Sequence, residues 1–191
     1  MGDERSLLDR MVGEVERVRA IPYRWPGPPD AASVLREGFG TCASKHALLA
    51  ERLALLGVES APLLVVGRLV PELLADREPF RDGVHLLEVH ECLTVLTPWA
   101  GPLVVDVTWD PPLIRSGLPG KFPWSGDEDM PLAIPPEGRA WAVPAGRLRE
   151  AKESIRRRLY TPEKRALRDR ILEGMSQYFT HLRAGVLGTE P

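Results

Sequence analysis

Hydrophobic positions along the chain change their period several times, and each change marks an element. Between Ser6 and Arg19, Leu7, Leu8, Met11, Val12, Val15 and Val18 recur at three- and four-residue spacing, which predicts an amphipathic helix. From Ala43 to Leu56 the apolar residues Ala47, Leu48, Leu49, Leu53, Ala54, Leu55 and Leu56 lie nearly all round a helix. A helix of that kind is buried on more than one side. Gly57 ends it, and Val58 to Leu69 is continuous and apolar enough for a strand at a central position. Val84 to Leu96 and Pro102 to Thr108 are the next two strands. Thr97-Pro98-Trp99-Ala100-Gly101 between them is turn chemistry, so the pair is predicted to be an antiparallel hairpin. Arg147 to Arg158 and Thr161 to Arg183 read as helices, the second opened by a capping threonine followed by Pro162 at the first helical position. Arg156-Arg157-Arg158 lies among acids and reads as a solvated helix face.

Punctuation fills the gaps. Ala20 to Pro29 holds four prolines and Gly27 around Tyr23, Arg24 and Trp25, which predicts a rigid loop, since proline fixes φ and aromatics need a surface to pack on. Asp30 is the expected N-cap of a short helix, Ala31 to Glu37, closed by Gly38 in the left-handed conformation. A further short helix is expected at Pro71 to Ala75. Residues 110–144 carry eight prolines among polar residues and read as one long loop, which in a compact protein is functional or wraps the surface. The 191 residues suffice for one domain, 1–191, with helices over 147–184 appended to its core.

Composition narrows the partners. A formal net charge of -2 supplies no basic field, so neither nucleic acid nor an anionic membrane is expected. No run approaches the ~20 apolar residues of a membrane span, and the charged start Met1-Gly2-Asp3-Glu4-Arg5 is unlike a signal peptide. Two cysteines make no disulfide framework, so a reduced, cytoplasmic protein is expected.

One of those cysteines stands at a chemically loaded place. Gly38-Phe39-Gly40-Thr41-Cys42-Ala43-Ser44-Lys45-His46 joins the proline-rich loop to the apolar helix, with Cys42 its first residue or its cap. Unpaired N–H groups and the positive end of the helix dipole favour an anion there, and Lys45 adds a cation one turn on. A thiol so placed is poised as a thiolate. The plainer alternative is a small residue at a helix start beside a glycine turn. A thiol nucleophile needs a base and a group that orients it. His181 sits alone in the last helix; His46 is one turn from Cys42; His85 and His90 share the first hairpin strand and point to opposite faces. Asp106 interrupts the β-branched run Leu103-Val104-Val105-Asp106-Val107-Thr108-Trp109, and a buried acid must be paired. With the turn near Trp99 and Ala100, Asp106 lies opposite roughly residue 93, one diagonal step from His90 and out of reach of His85. His90 and Asp106 are therefore the better pair.

These blocks resemble the transglutaminase-like superfamily of cysteine enzymes, related to the papain-like group. Gly40-Thr41-Cys42 with the helix ending at Leu56-Gly57-Val58 is similar to its nucleophile helix. His90 and Asp106-Val107-Thr108-Trp109 are similar to its histidine and aspartate strands, in the same order along the chain. The likeness covers residues 20–112. It implies an α+β fold, with a helix bearing Cys42 packed on an antiparallel sheet bearing His90 and Asp106. It also implies acyl transfer through a thioester, to an amine or to water, on a protein, peptide or small amide substrate. In that scheme His90 deprotonates Cys42, Asp106 orients His90, the Cys42 N–H serves an oxyanion site, and Tyr23 or Trp25 completes or covers it. No cofactor and no metal is implied; calcium regulates some members, and this sequence has no calcium-loop signature. Many members have an aromatic two residues after the histidine, where this chain has Cys92, a second thiol near the site or a buried structural one. Two other readings stand beside the enzyme: a non-catalytic binding module on the same fold, and a zinc site built from Cys42, Cys92, His90 or His46 and Asp106.

Overall fold

The computed structural model describes residues 2–185 and is of the α+β class. Helix α1 (Gly2–Arg19) leads into the proline-rich loop, followed by α2 (Ala31–Glu37) and α3 (Cys42–Leu55). Strands β1 (Ser60–Arg68), β2 (Leu87–Thr97), β3 (Gly101–Val105) and β4 (Pro136–Ala142) form one antiparallel sheet in the order β3-β2-β1-β4. Helix α4 (Pro111–Arg115) lies between β3 and β4, and α5 (Leu148–Leu159) and α6 (Pro162–Arg183) follow the sheet. None of the described helices is long and apolar enough to cross a membrane.

The caps explain the helix boundaries. Asp30 accepts from the Ser33 amide to start α2, and Gly38 ends it at φ 74. Thr161 accepts from the Lys164 amide at the start of α6, with Pro162 at its first position. Leu93, Val95, Leu103 and Val105 of the hairpin join α1, α2 and α3 in one apolar cluster, in which Met11, Val15, Leu49 and Leu53 are wholly buried. Leu64, Val66 and Val89 pack against α5. A third cluster joins Tyr23 and Trp109 to Ile171, Met175 and Phe179 of α6. Helices α3 and α5 thus pack on one sheet.

The structure departs from the sequence expectation in three places. The first hairpin strand starts at Leu87, not Val84, because residues 81–83 form a 3₁₀ turn whose amides and those just after it bond locally, Leu86 N to Gly83 O at 2.9 Å. His85 therefore lies outside the strand. The second strand ends at Val105, not Thr108, because the next amides turn to side chains: Val107 N donates to His46 and Thr108 N to Asp106, each at 3.0 Å. Within 110–144 the chain forms α4 and the edge strand β4. Pro-Glu-Gly-Arg-Ala-Trp-Ala has no apolar alternation, and an edge strand tolerates both its proline and its glycine. Opposite it, a Cβ on Gly67 would sit 2.2 Å from the Pro135 carbonyl oxygen, so only glycine lets the two backbones approach.

Candidate active site

A cavity of about 350 Å³, lined from α3, β2, α5 and α6, has Cys42 and His90 in its wall. Cys42 is the first residue of α3, with Thr41 as its extended cap; Thr41 N donates to Ser44 Oγ at 3.1 Å. The Cys42 amide is one of the first-turn donors that no helical carbonyl takes. The proline-rich loop is stitched to this junction by Gly40 N to Pro22 O and Arg24 N to Gly40 O, both 3.0 Å. A Cβ on Gly27 would lie 2.7 Å from Thr41 Cγ2, so a glycine is needed where the loop passes the cap.

His90, buried on β2, directs Nε2 at Asp106 Oδ2, 2.6 Å away. The register pairs Leu93 with Val105, one residue from the expected alignment, and brings Asp106 diagonally to His90. With Nε2 taken by Asp106, Nδ1 is the ring nitrogen left for another partner; Cys42 lines the same cavity, and thiol and imidazole shift each other's pKa. Asp106 is fully engaged: Oδ2 also accepts from Ala133 N at 2.8 Å, and Oδ1 from Thr108 N at 3.0 Å. Burial opposes charge on all three groups. It would lower the His90 pKa, yet the Asp106 carboxylate and the Cys42 contact lift it to about 10. Burial would raise Asp106, yet His90 holds it well below the usual carboxylate range. Burial would likewise raise Cys42, and it is outweighed by Lys152 and by the hydrogen bond and charge of His90, so the thiol is lowered.

One sequence expectation, the role of Lys45, is revised by this geometry, and the places of His46, Cys92 and His181 agree with the plainer reading of each. Lys45 is not a cation for the thiolate: it is wholly buried and spends its ammonium on the carbonyls of Arg19 (3.1 Å), Ile21 (2.7 Å) and Thr108 (3.0 Å). The cation beside Cys42 is Lys152 of α5, paired with Glu91 at 3.1 Å. It lies outside the stretch that carries the family resemblance, and nothing local in the sequence marks it. His46 is not a base. Its Nε2 accepts from Val107 N, which fixes the proton on Nδ1, and that nitrogen donates to Cys42 O at 2.7 Å. Burial, opposed by Asp106, takes its pKa down to about 4 and keeps it neutral. Cys92 is buried with Sγ 3.8 Å from Leu63 O; burial and the nearby Asp106 and Cys42 charges raise its pKa. His181 is exposed on α6.

Tyr23 and Trp25, left unplaced by the sequence, both line the cavity. Tyr23 N donates to Asp110 Oδ2 at 3.0 Å, and Arg183 of α6 bonds both Asp110 and the Tyr23 carbonyl. Trp25 N donates to Ser176 Oγ at 3.0 Å, and the Arg168 guanidinium lies 4.9 Å from the Trp25 ring centroid. Burial and the Cys42 charge raise the Tyr23 pKa, so its hydroxyl stays a donor. Among the described residues no three His, Cys, Asp or Glu side chains form a group able to hold a metal ion. No protein-family model, curated protein or solved structure matches the chain.

Proposed function

We propose that the protein is a cysteine-nucleophile acyl-transfer enzyme of the transglutaminase-like type, acting on an amide or peptide bond. The observation that carries this is the His90–Asp106 pair, bonded at 2.6 Å, with His90 lining the same cavity as the helix-start thiol of Cys42. The Cys42 thiolate attacks the acyl carbon, forming the C–S bond while the carbonyl π pair moves to oxygen. The Cys42 amide stabilises that oxyanion, with the Tyr23 hydroxyl as a second donor from the cavity wall. The tetrahedral adduct collapses to a thioester as the C–N bond breaks, and the His90 imidazolium gives its proton to the departing amine. An incoming amine or water then loses its proton to His90, attacks the thioester and releases Cys42. Asp106 holds the ring so that Nδ1 faces sulfur, and stabilises the imidazolium throughout. A thiol nucleophile of this kind works in a reducing compartment such as the cytoplasm.

Iodoacetamide at pH 6 tests the reading by intact mass and peptide mapping. One adduct on Cys42, none on Cys92, and none in Cys42→Ser are expected. An inert Cys42 would instead indicate a binding module on this fold, and an adduct on Cys92 would mean another nucleophile.

A further inference from the structure

The charges lining the cavity are unequal. Arg149, Lys152, Arg156 and Arg168 face two carboxylates, Glu88 and Glu91, whereas the whole chain has a formal net charge of -2. The positive side of the cavity is therefore a local feature. All four cations come from α5 and α6, opposite in sequence to the nucleophile helix. Their engagements differ. Arg156 and Arg168 both bond Glu88, the first at 3.0 Å, so Glu88 is already shared by two guanidinium groups. Lys152 is buried and gives one hydrogen to Glu91 at 3.1 Å, which leaves two ammonium hydrogens without a carboxylate. Arg149 has no carboxylate partner among the described residues and stands exposed at the rim. Trp109, Leu172 and Met175 line the same cavity and give it an apolar part.

Burying a lysine against a cavity with donors to spare is costly unless something negative fills it. A carboxylate is the matching group: it takes a guanidinium fork in two parallel bonds and an ammonium in one. We propose that the cavity selects acyl substrates carrying an apolar group and a carboxylate, the carboxylate docking on Arg149 and Lys152. This rests on the reading of Cys42 as nucleophile, and fixes which acyl compounds reach it. The cavity volume of about 350 Å³ suits a small molecule or the end of a peptide rather than a folded segment.

Iodoacetate and iodoacetamide are close in shape and differ by one charge, so their relative rates at Cys42 report the wall. Arg149 is at the rim, so Arg149→Glu leaves the packed interior unchanged. The ratio of iodoacetate to iodoacetamide rate is expected to fall about tenfold in Arg149→Glu, and to fall in wild type as salt is raised to about 0.5 M. Because His90 is the same in both proteins, its imidazolium does not contribute to that difference. Equal ratios in the two proteins would overturn the proposal. Should neither reagent modify Cys42, the nucleophile reading fails by itself. Docking is then decided in Cys42→Ala by titrating tryptophan fluorescence with N-acetylphenylalanine and with its neutral amide. The acid is expected to bind more tightly, with its advantage abolished by adding Arg149→Glu; an amide that binds as well as the acid overturns the proposal.

Discussion

Asp106 accepts from His90, Ala133 N and Thr108 N, so its carboxylate ties β2 to two loops. Replacing it by asparagine keeps the shape and removes the charge. Loss of one charged hydrogen-bond partner costs roughly 1.5–3 kcal/mol, a tolerable part of a total stability of about 5–15 kcal/mol. Reactivity should suffer more, because an amide neither stabilises the imidazolium nor fixes its tautomer. Asp106→Asn should stay folded by circular dichroism while Cys42 alkylation at neutral pH slows at least about tenfold. Unchanged alkylation would make Asp106 a purely structural acid. The pH dependence of stability separates the partners. His90, raised to about 10 from 6.5, stabilises the fold fully below pH 6.5, and that contribution is lost as pH rises towards 10. Cys42, lowered in the fold, contributes with the opposite slope, and so does Lys45, whose pKa burial lowers to about 7. The His90 contribution is therefore read as a difference between two proteins that share Lys45. The urea midpoint of Cys42→Ser minus that of Cys42→Ser/His90→Gln should shrink as pH rises above 6.5, and a difference that does not change with pH would sink the assignment.

At the scale of elements, Lys45 shows how a polar side chain locates α3. One ammonium joins the end of α1, the loop after it and the residue two beyond Asp106 through three carbonyls. Burial pulls its pKa down to about 7, with Asp110 and Asp106 opposing, and each carbonyl takes one hydrogen of the ammonium form. Lys45→Met fills the same space and leaves those carbonyls bare. It should lower stability by about 3 kcal/mol or more, read from urea unfolding. A smaller loss would show that water replaces the ammonium. The same residue marks what the sequence made legible. Caps, apolar periods and the hairpin turn are local signals, and from them α2, α3, α6 and the approach of His90 to Asp106 could be read. The reach of Lys45 to residues 19, 21 and 108, the passage of Gly67 under Pro135, and the return of Lys152 to Cys42 are fixed by packing between distant segments. A single sequence has no local mark for any of them. The edge strand β4 escaped for a related reason: its pairing with β1 supplies its order, and its own residues do not alternate.

On the scale of the whole molecule, the C-terminal helix is part of the site. Arg183 ties Asp110 and Tyr23 together, Ser176 holds Trp25, and Arg168 carries Glu88. Phe179 packs at 5.3 Å, centroid to centroid, on Trp109, two residues before α4. With its two ends bound to one sheet, the chain should unfold in a single step. Tryptophan fluorescence, to which Trp25 and Trp109 of the cavity contribute, and far-ultraviolet ellipticity, which reports the helices, should give coincident urea transitions. Separated transitions would mean that α5 and α6 detach before the sheet. The placement of the four cavity cations has an evolutionary consequence. Under the proposed function, the reacting groups lie on α3, β2 and the turn after β3, and the groups that would admit a substrate lie on α5 and α6. Diet and chemistry would then be encoded in different stretches of the gene, and drift in the last third of the chain could change what is consumed while the thiolate, imidazole and carboxylate stay as they are. Lys152 is the exception. It stands beside the sulfur and on the admitting wall at once, so it is the position at which a change of diet would also retune the nucleophile.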